Sequence, residues 1–254
     1  MRLRVLGSAD AFNSAGRGHS SYWLESPGAG PIAIDFGATT LMRLRAEGLR
    51  ASDMAGIAIT HLHGDHVGGL PFLWIDSMYH ERRSAPLAIV GPVGTREKIL
   101  ALLEVTYAHA DRIDWMLHAI TEIAPGESAP LCGFTVHGFA AEHMDLPDRP
   151  LCLRIADAHG KSVAFSGDTE LCDGLFAASE GAEMLVAECT QLTPPAGKHC
   201  TWEGWKTAFH RVKAQRLMLT HLGDDVRDAA PRIRGDAPPS LDLAFAEDGA
   251  IYDF

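Results

Sequence analysis

Basic residues are scarce in this chain. Lysine and arginine number 22 against 33 aspartates and glutamates, a net charge of −11 with histidine neutral. That balance argues against a broad electropositive nucleic-acid surface, though not against a local basic patch. Long hydrophobic runs are missing too: no apolar stretch approaches the roughly 20 residues of a membrane span. The five cysteines (Cys132, Cys152, Cys172, Cys189 and Cys200) are odd in number, scattered, and form no C-x-x-C pair. They read as free thiols in a reducing compartment. The start, Met1-Arg2-Leu3-Arg4-Val5-Leu6-Gly7, lacks the apolar core and cleavage site of a signal peptide and reads as a first strand entering a glycine turn. The expected location is therefore the cytoplasm, with no membrane as partner. Repeats, low-complexity tracts and linkers are absent as well.

What remains is a chain of 254 residues, long enough for one α/β domain over 1–254 with a substantial core. Leu3–Leu6, Ser20–Leu24, Ile32–Ile34, Ile57–Thr60 and Leu87–Val90 have the short apolar pattern of strands. Thr39–Glu47, Val67 to about Tyr79 and Thr95–Tyr107 have helical spacing, with Gly48 stopping the first and Thr95 capping the last. From Leu117 to Ile155 the pattern turns back to strands. Ser162–Phe165, Met184–Ala187 and Leu217–Leu219 follow as strands, separated by helices at Asp173–Ala178 and Trp202–Val212. Asp224–Pro239 reads as a surface loop, and Leu241–Phe245 with Ile251-Tyr252 as a closing hairpin. The pattern alone supports mixed α/β in one domain.

The chemistry concentrates in Thr60-His61-Leu62-His63-Gly64-Asp65-His66, directly after a strand and followed by Val67-Gly68-Gly69. On an extended backbone His61 and His63 point to the same side and can grip one ion. Asp65 and His66 come after the chain turns and would face a second. Imidazole and carboxylate without thiolate suit zinc, with manganese or iron as alternatives.

H-x-H-x-D-H at a strand end resembles the metallo-β-lactamase superfamily of binuclear metal hydrolases. Three later motifs match that resemblance in order, each at a strand end. Ala141-Glu142-His143-Met144-Asp145 offers His143, with His137, inside the preceding strand, as the rival. Phe165-Ser166-Gly167-Asp168-Thr169 offers Asp168, otherwise a capping aspartate. Leu219-Thr220-His221-Leu222-Gly223 offers His221. The resemblance implies an αββα sandwich with two ions. His61, His63 and His143 would hold one, Asp65, His66 and His221 the other, and Asp168 would bridge them. A water activated between the ions would then be the nucleophile, so that Asp65 and its fellow ligands count among the catalytic residues.

Val186-Ala187-Glu188-Cys189-Thr190 with Lys198-His199-Cys200-Thr201 resembles the paired "HEAT" and "HST" motifs of tRNase Z-like phosphodiesterases, departing at Ala187, Cys189 and Cys200. The segments Gly7 to Arg17 and Asp35 to Thr39 resemble that branch as well. The implied roles are His199 as general acid and Glu188 as the carboxylate that orients it. The plainer alternative is that His199 caps the helix beginning near Trp202 and Glu188 makes a surface contact. The glycine-rich loop Ala9–His19 is either an ordinary loop or an overhang of the metals in which Arg17 or His19 touches substrate. Trp202, Trp205, His80, Arg82 and Arg83 are further candidates for the site mouth or for helix packing.

tRNase Z enzymes generally carry a long arm between the third histidine motif and the bridging aspartate, and here that interval has no room for one. The expectation is a phosphodiesterase for a small phosphodiester or ester, with nucleic acid disfavoured. A tRNA 3′-processing endoribonuclease and a thioesterase or lactonase on the same fold are the alternatives. An iron-dependent oxygenase or sulfur-handling enzyme, and a binding protein on a dead scaffold, stand further off. A homodimer is expected by analogy with that branch.

Overall fold

In the computed structural model, which describes residues 1–107 and 119–254, the strands assemble into two seven-stranded sheets. The first contains β1 (Arg2–Gly7), β2 (Ser21–Glu25), β3 (Ile32–Ile34), β4 (Gly56–Ala58), β5 (Ala88–Pro92), β6 (Ile120–Ile123) and β14 (Ile251–Asp253). Its order is β14-β1-β2-β3-β4-β5-β6. The second contains β7 (Ser128–Leu131), β8 (Phe134–Ala140), β9 (Leu151–Ala156), β10 (Ser162–Phe165), β11 (Met184–Glu188), β12 (Arg216–Thr220) and β13 (Asp242–Phe245). These run in the order β13-β12-β11-β10-β9-β8-β7. Leu117, where the middle strands are expected to begin, lies outside the described residues.

Period-2 alternation divides the side chains between three apolar layers. In β3, Ile32 and Ile34 enter the layer between the sheets while Ala33 faces outward; in β11, Met184 and Val186 enter it while Leu185 and Ala187 face outward. Helices α1 (Thr40–Ala46), α2 (Gly64–Val67), α3 (Leu70–Ile75) and α4 (Thr95–Tyr107) cover the first sheet with Leu44, Val67, Leu73, Trp74, Ile99 and Leu103. Helices α5 (Asp173–Ser179), α6 (Trp202–Ala208) and α7 (Asp224–Ile233) cover the second with Leu175, Trp205 and Val226. This is the αββα sandwich.

Three local expectations are corrected. The stretch from Asp224 is helix α7, not a loop, because Val226, Ala229 and Ile233 share a buried face that outweighs the polar composition and Pro231. The last two strands form no hairpin: β13 pairs parallel with β12 in one sheet and β14 antiparallel with β1 in the other. Thr95 is the first residue of α4 rather than its cap, and its hydroxyl donates to the Pro92 carbonyl at 2.6 Å.

The turn after β3 is locked to the start of α2 by backbone alone. The Phe36 N–H donates to the His66 carbonyl at 2.6 Å and the Gly69 N–H to the Phe36 carbonyl at 2.9 Å. At Gly37 a Cβ would lie 1.9 Å from the Asp65 carbonyl oxygen, so only glycine permits this approach. Gly37→Ala is expected to cost about 1–3 kcal/mol, lowering the thermal midpoint by several degrees, with Ala38→Gly as the neighbouring control.

Candidate metal centre

Each candidate side chain stands just past a strand end. His61, His63, Asp65 and His66 follow β4, His143 follows β8, Asp168 follows β10 and His221 follows β12. The structure gathers all seven into two clusters that share one carboxylate. His61, His63, His143 and Asp168 form the first; Asp65, His66, His221 and Asp168 form the second; within each, the donor atoms lie within 4.8 Å of one another. Asp168 Oδ2 is 3.7 Å from His61 Nε2, 3.8 Å from His143 Nε2 and 3.3 Å from His221 Nε2, while Oδ1 is 3.3 Å from His66 Nε2. Asp65 Oδ2 is 3.3 Å from both His66 Nε2 and His221 Nε2. The rival His137 stays in β8 opposite Arg154.

The outward nitrogens of four imidazoles are held by partners that fix what the inward nitrogens can do. His66 Nδ1 lies 2.7 Å from Asp35 Oδ2, and His143 Nδ1 lies 2.9 Å from the Lys198 carbonyl. Each of these nitrogens therefore carries a proton, and Nε2 is the nitrogen turned toward a metal; without one, the Asp168 and Asp35 carboxylates outweigh burial and raise the His66 pKa well above its ordinary value. His61 Nδ1 meets Thr60 Oγ1 at 3.2 Å, and that hydroxyl donates to Asp35 Oδ2 at 2.8 Å. His221 Nδ1 meets Thr190 Oγ1 at 3.1 Å, and that hydroxyl donates to Glu188 Oε2 at 2.8 Å. Both hydroxyls spend their proton on a carboxylate, so both imidazoles must donate to them.

The inward atoms have no partners outside the clusters; His221 Nε2 meets Asp65 Oδ2 at 3.3 Å. His61 Nε2, His66 Nε2 and Asp168 Oδ1 are buried and make no hydrogen bond. His143 Nε2 and His63 Nδ1 face each other at 3.0 Å, two nitrogens that one cation between them would satisfy. Converging lone pairs of imidazole and carboxylate, buried and unpaired, are the donor set of a divalent metal site. Burial and the neighbouring His66 pull His61 well below its ordinary pKa, which keeps it in the neutral, ligating form. Burial works against the charge of Asp168, but the surrounding imidazoles of His221, His66 and His61 hold it well below the usual carboxylate range.

Beside the clusters, His199 Nδ1 lies 2.9 Å from Glu188 Oε1. Glu188 is fully buried and also accepts from the Thr169 N–H at 2.6 Å and the Cys200 N–H at 3.1 Å. It makes no surface contact. Nor does His199 cap α6; Thr201 does, its hydroxyl accepting from the Gly204 N–H at 3.1 Å. Burial alone would lower the His199 pKa, but the hydrogen bond and charge of Glu188 outweigh it and raise it above the ordinary value. The ring stacks on His221 at 5.5 Å and stands edge-on to His143 at 4.6 Å.

The Ala9–His19 loop splits in two. Arg17 turns to an ion pair with Glu247. His19 is buried at 8% exposure with Nδ1 unpartnered, and its backbone N–H donates to Thr39 Oγ1 at 2.8 Å. Ala9 bridges both His19 and Leu222, which brings the loop's base beside His221. Trp202 and Trp205 belong to the core, the latter donating its indole N–H to the Glu188 carbonyl at 2.9 Å. His80 and Arg83 are engaged locally, with Asp76 and with the carbonyls of Ala85 and Ala51, and Arg82 is exposed. Sequence reasoning missed the supporting partners Asp35, Thr60 and Thr190. The available signal was Asp35 itself, an acidic residue directly after the strand Ile32–Ile34; the structure holds it at φ +57°.

A two-sheet sandwich with this His/Asp centre defines the metallo-β-lactamase fold, and the known proteins it resembles agree. A metallo-β-lactamase fold protein of Bacillus subtilis, YhfI, superposes with a TM-score of 0.78 at 21% identity, covering 99% of both chains. Human tRNase Z, short form, superposes with a TM-score of 0.74 at 25% identity, covering 100% of this chain and 99% of that one. In sequence, a ribonuclease Z of Methanothermobacter thermautotrophicus is 28% identical over 271 residues, covering 87% of this chain and 86% of the relative. The family model described as anti-Pycsar protein Apyc1 matches residues 1–238, and the chain belongs to that family. Fold and clusters together support a metal-dependent hydrolase. No helix among the described residues is long and apolar enough to cross a membrane.

His61→Ala and Asp65→Ala are each expected to keep the circular dichroism of the parent while losing bound metal, since each removes a lone pair without touching the sheets. Elemental analysis of the purified variants is the check, and undiminished metal content would sink the ligand assignment.

Proposed function

We propose that this protein is a binuclear metal-dependent phosphodiesterase acting on a small phosphodiester, with zinc as the expected metal and manganese or iron as alternatives. The observation that carries the reading is one carboxylate, Asp168, shared by two donor clusters, with an oriented imidazole beside them. His61, His63 and His143 would hold one ion, Asp65, His66 and His221 the other, and Asp168 both. Two bound divalent ions would supply Lewis acidity, lowering the pKa of water and neutralising charge that builds on a phosphoryl group.

The chain's own residues supply the rest. Glu188 holds His199 through Nδ1, which leaves Nε2 to deliver a proton to the departing alkoxide. Glu188 is the positioning residue in this scheme and His199 the catalytic acid. His19, with a buried, unpartnered nitrogen beside the second cluster, is placed to donate to a substrate oxygen. Arg17, committed to Glu247, loses that role.

The second reading is a tRNA 3′-processing endoribonuclease, favoured by the likeness to ribonuclease Z. Against it, the interval from His143 to Asp168 holds only a loop over 144–150, β9, β10 and their short turn, and the net charge is −11. A thioesterase or lactonase uses the same ions but has no need of the Glu188–His199 pair. The deciding experiment is metal analysis of the purified protein alongside hydrolysis of bis(p-nitrophenyl) phosphate, precursor tRNA and a thioester. Two zincs per chain with diester turnover alone is the expected result. Cleavage of tRNA would promote the second reading, and thioester turnover alone would overturn the first.

His199→Ala should lower turnover of a diester with an alkoxide leaving group by roughly 10²-fold or more. p-Nitrophenolate leaves without a proton, so its release should suffer far less. Equal losses on both substrates would remove His199 from the acid role.

A further inference from the structure

On the outer face of the second sheet, four of the five cysteines share one apolar layer: Cys152, Cys172, Cys189 and Cys200. None of their side chains belongs to either metal cluster. Cys152 sits on β9 with its side chain outward, since Leu151 and Leu153 on either side of it face the layer between the sheets. Cys172 directly precedes α5, whose start is seated hard on the end of β8: a Cβ at Gly174 would lie 1.9 Å from the Ala140 carbonyl oxygen. The Cys172 sulfur reaches that same carbonyl at 3.6 Å. β8 and β9 are neighbours in the sheet, with Phe139 opposite Cys152. The two sulfurs therefore meet, and the Cys152 thiol donates to that of Cys172.

The five thiols differ in what surrounds them. Burial raises Cys132, Cys189 and Cys200 above the ordinary thiol range, which leaves them poor nucleophiles. Cys152 is raised as well, first by the bond it donates to Cys172 and then by burial. Cys172 alone is shifted down, to about 6: the bond from Cys152, helped by bonds from Thr169 and the Leu175 backbone, outweighs burial. A nucleophilic sulfur thus touches a protonated partner thiol, the arrangement of an attacking and a resolving cysteine. Cys172 keeps 5% exposure and lies between the exposed Glu170 and Asp173, whereas Cys152 is fully buried. A small oxidant meets Cys172 first.

Thr169 joins this pair to the metal centre. It directly follows Asp168, and its hydroxyl accepts from the N–H of Glu142, the residue before His143, at 2.9 Å. That hydroxyl lies 3.4 Å from the Cys172 sulfur, and the Thr169 carbonyl accepts from the Cys200 thiol at 3.1 Å. We propose that Cys172 and Cys152 form a peroxide-reactive dithiol, and that closing it to a disulfide loosens the metal centre through Thr169. The Cys172 thiolate attacks one oxygen of hydrogen peroxide and the O–O bond breaks. One oxygen stays on sulfur as a sulfenic acid, and the other leaves as hydroxide, which takes a proton to become water. The Cys152 sulfur then displaces the sulfenic hydroxyl, which departs with the Cys152 proton as a second water, and the S–S bond forms. Two thiols are oxidised and one peroxide is reduced. Drawing Cys172 onto Cys152 takes it off Thr169. The dithiol stands on its own geometry, while its effect on the ions rests on the ligand assignment above.

The test treats the reduced, zinc-loaded protein with hydrogen peroxide and reads it in two ways. Peptide mapping by mass spectrometry without reductant should show Cys152 and Cys172 joined, with the loss of two hydrogens. Competition with a chromophoric chelator should show zinc held about tenfold more weakly, the size of effect that outer partners of metal ligands have. Dithiothreitol should reverse both. Cys172→Ser should form no bridge and keep its own untreated zinc affinity through the treatment. Cys152→Ser should stop at the sulfenic acid of Cys172, which dimedone traps. Cys132→Ser, which removes the one thiol that is not buried, should bridge as the parent does. Oxidation confined to Cys132, or oxidation of Cys172 with no bridge to Cys152 in the parent, would overturn the dithiol. A bridge that leaves zinc affinity unchanged would overturn its coupling to the centre. If the untreated protein holds no zinc, the ligand assignment fails, while the peptide map still decides the dithiol.

Discussion

The crowding of imidazoles around Asp168 is the constraint on which the rest of this structure depends. Four histidine nitrogens lie 3.3–3.8 Å from the two oxygens of one buried carboxylate. A second carboxylate, Asp65, faces two of the same rings. Without a cation such a cluster is costly, because converging lone pairs repel and buried polar atoms go unsatisfied. The outward nitrogens of His61, His66, His143 and His221 are all bonded to groups outside the cluster, while the inward ones meet only one another and the two carboxylates, with those of His61 and His66 left unpaired. Hydrogen bonds that could have relaxed the cluster are instead used to fix its tautomers.

Strand direction explains how so many donors meet at one place. β8 runs antiparallel to β9, and β9 antiparallel to β10, so β8 and β10 point the same way. β11 and β12 continue parallel to β10. The carboxyl ends of β8, β10, β11 and β12 therefore lie along one edge of the second sheet, delivering His143, Asp168, Glu188 and His221 in turn. β4 of the first sheet brings the His61–His66 segment to the same edge, and the glycine contact between Gly37 and Asp65 keeps it there. Open α/β sheets place ligand sites at the carboxyl ends of strands for this reason.

Much of this was legible in the sequence because both signals are local. The apolar alternation of Ile32–Ile34, Ser162–Phe165 and Met184–Ala187 marks strands within a residue or two of their ends, and the metal candidates follow at once. What was not legible depends on distant contacts. Nothing near Ile251 indicates that it pairs with β1 while its apparent hairpin partner pairs with β12. The helix from Asp224 hides behind charged residues and a proline, and becomes visible only when Val226, Ala229 and Ile233 are known to share a buried face. Asp35 lies 31 positions from the His66 it holds.

Glu188 shows why the polar network and the chemistry cannot be separated residue by residue. One of its oxygens orients His199, and the other accepts from the Thr190 hydroxyl that in turn holds His221. A buried carboxylate with this many partners gives little net stability over an apolar packing of the same volume. Its presence is explained by what it orients: one charge sets the tautomer of a candidate ligand and the direction of a candidate acid together. Replacing Glu188 therefore disturbs two roles at once, whereas a change at His199 gives up its bond to Glu188 at 2.9 Å and a 3.4 Å contact with Thr190 but leaves the Glu188–Thr190–His221 chain itself in place.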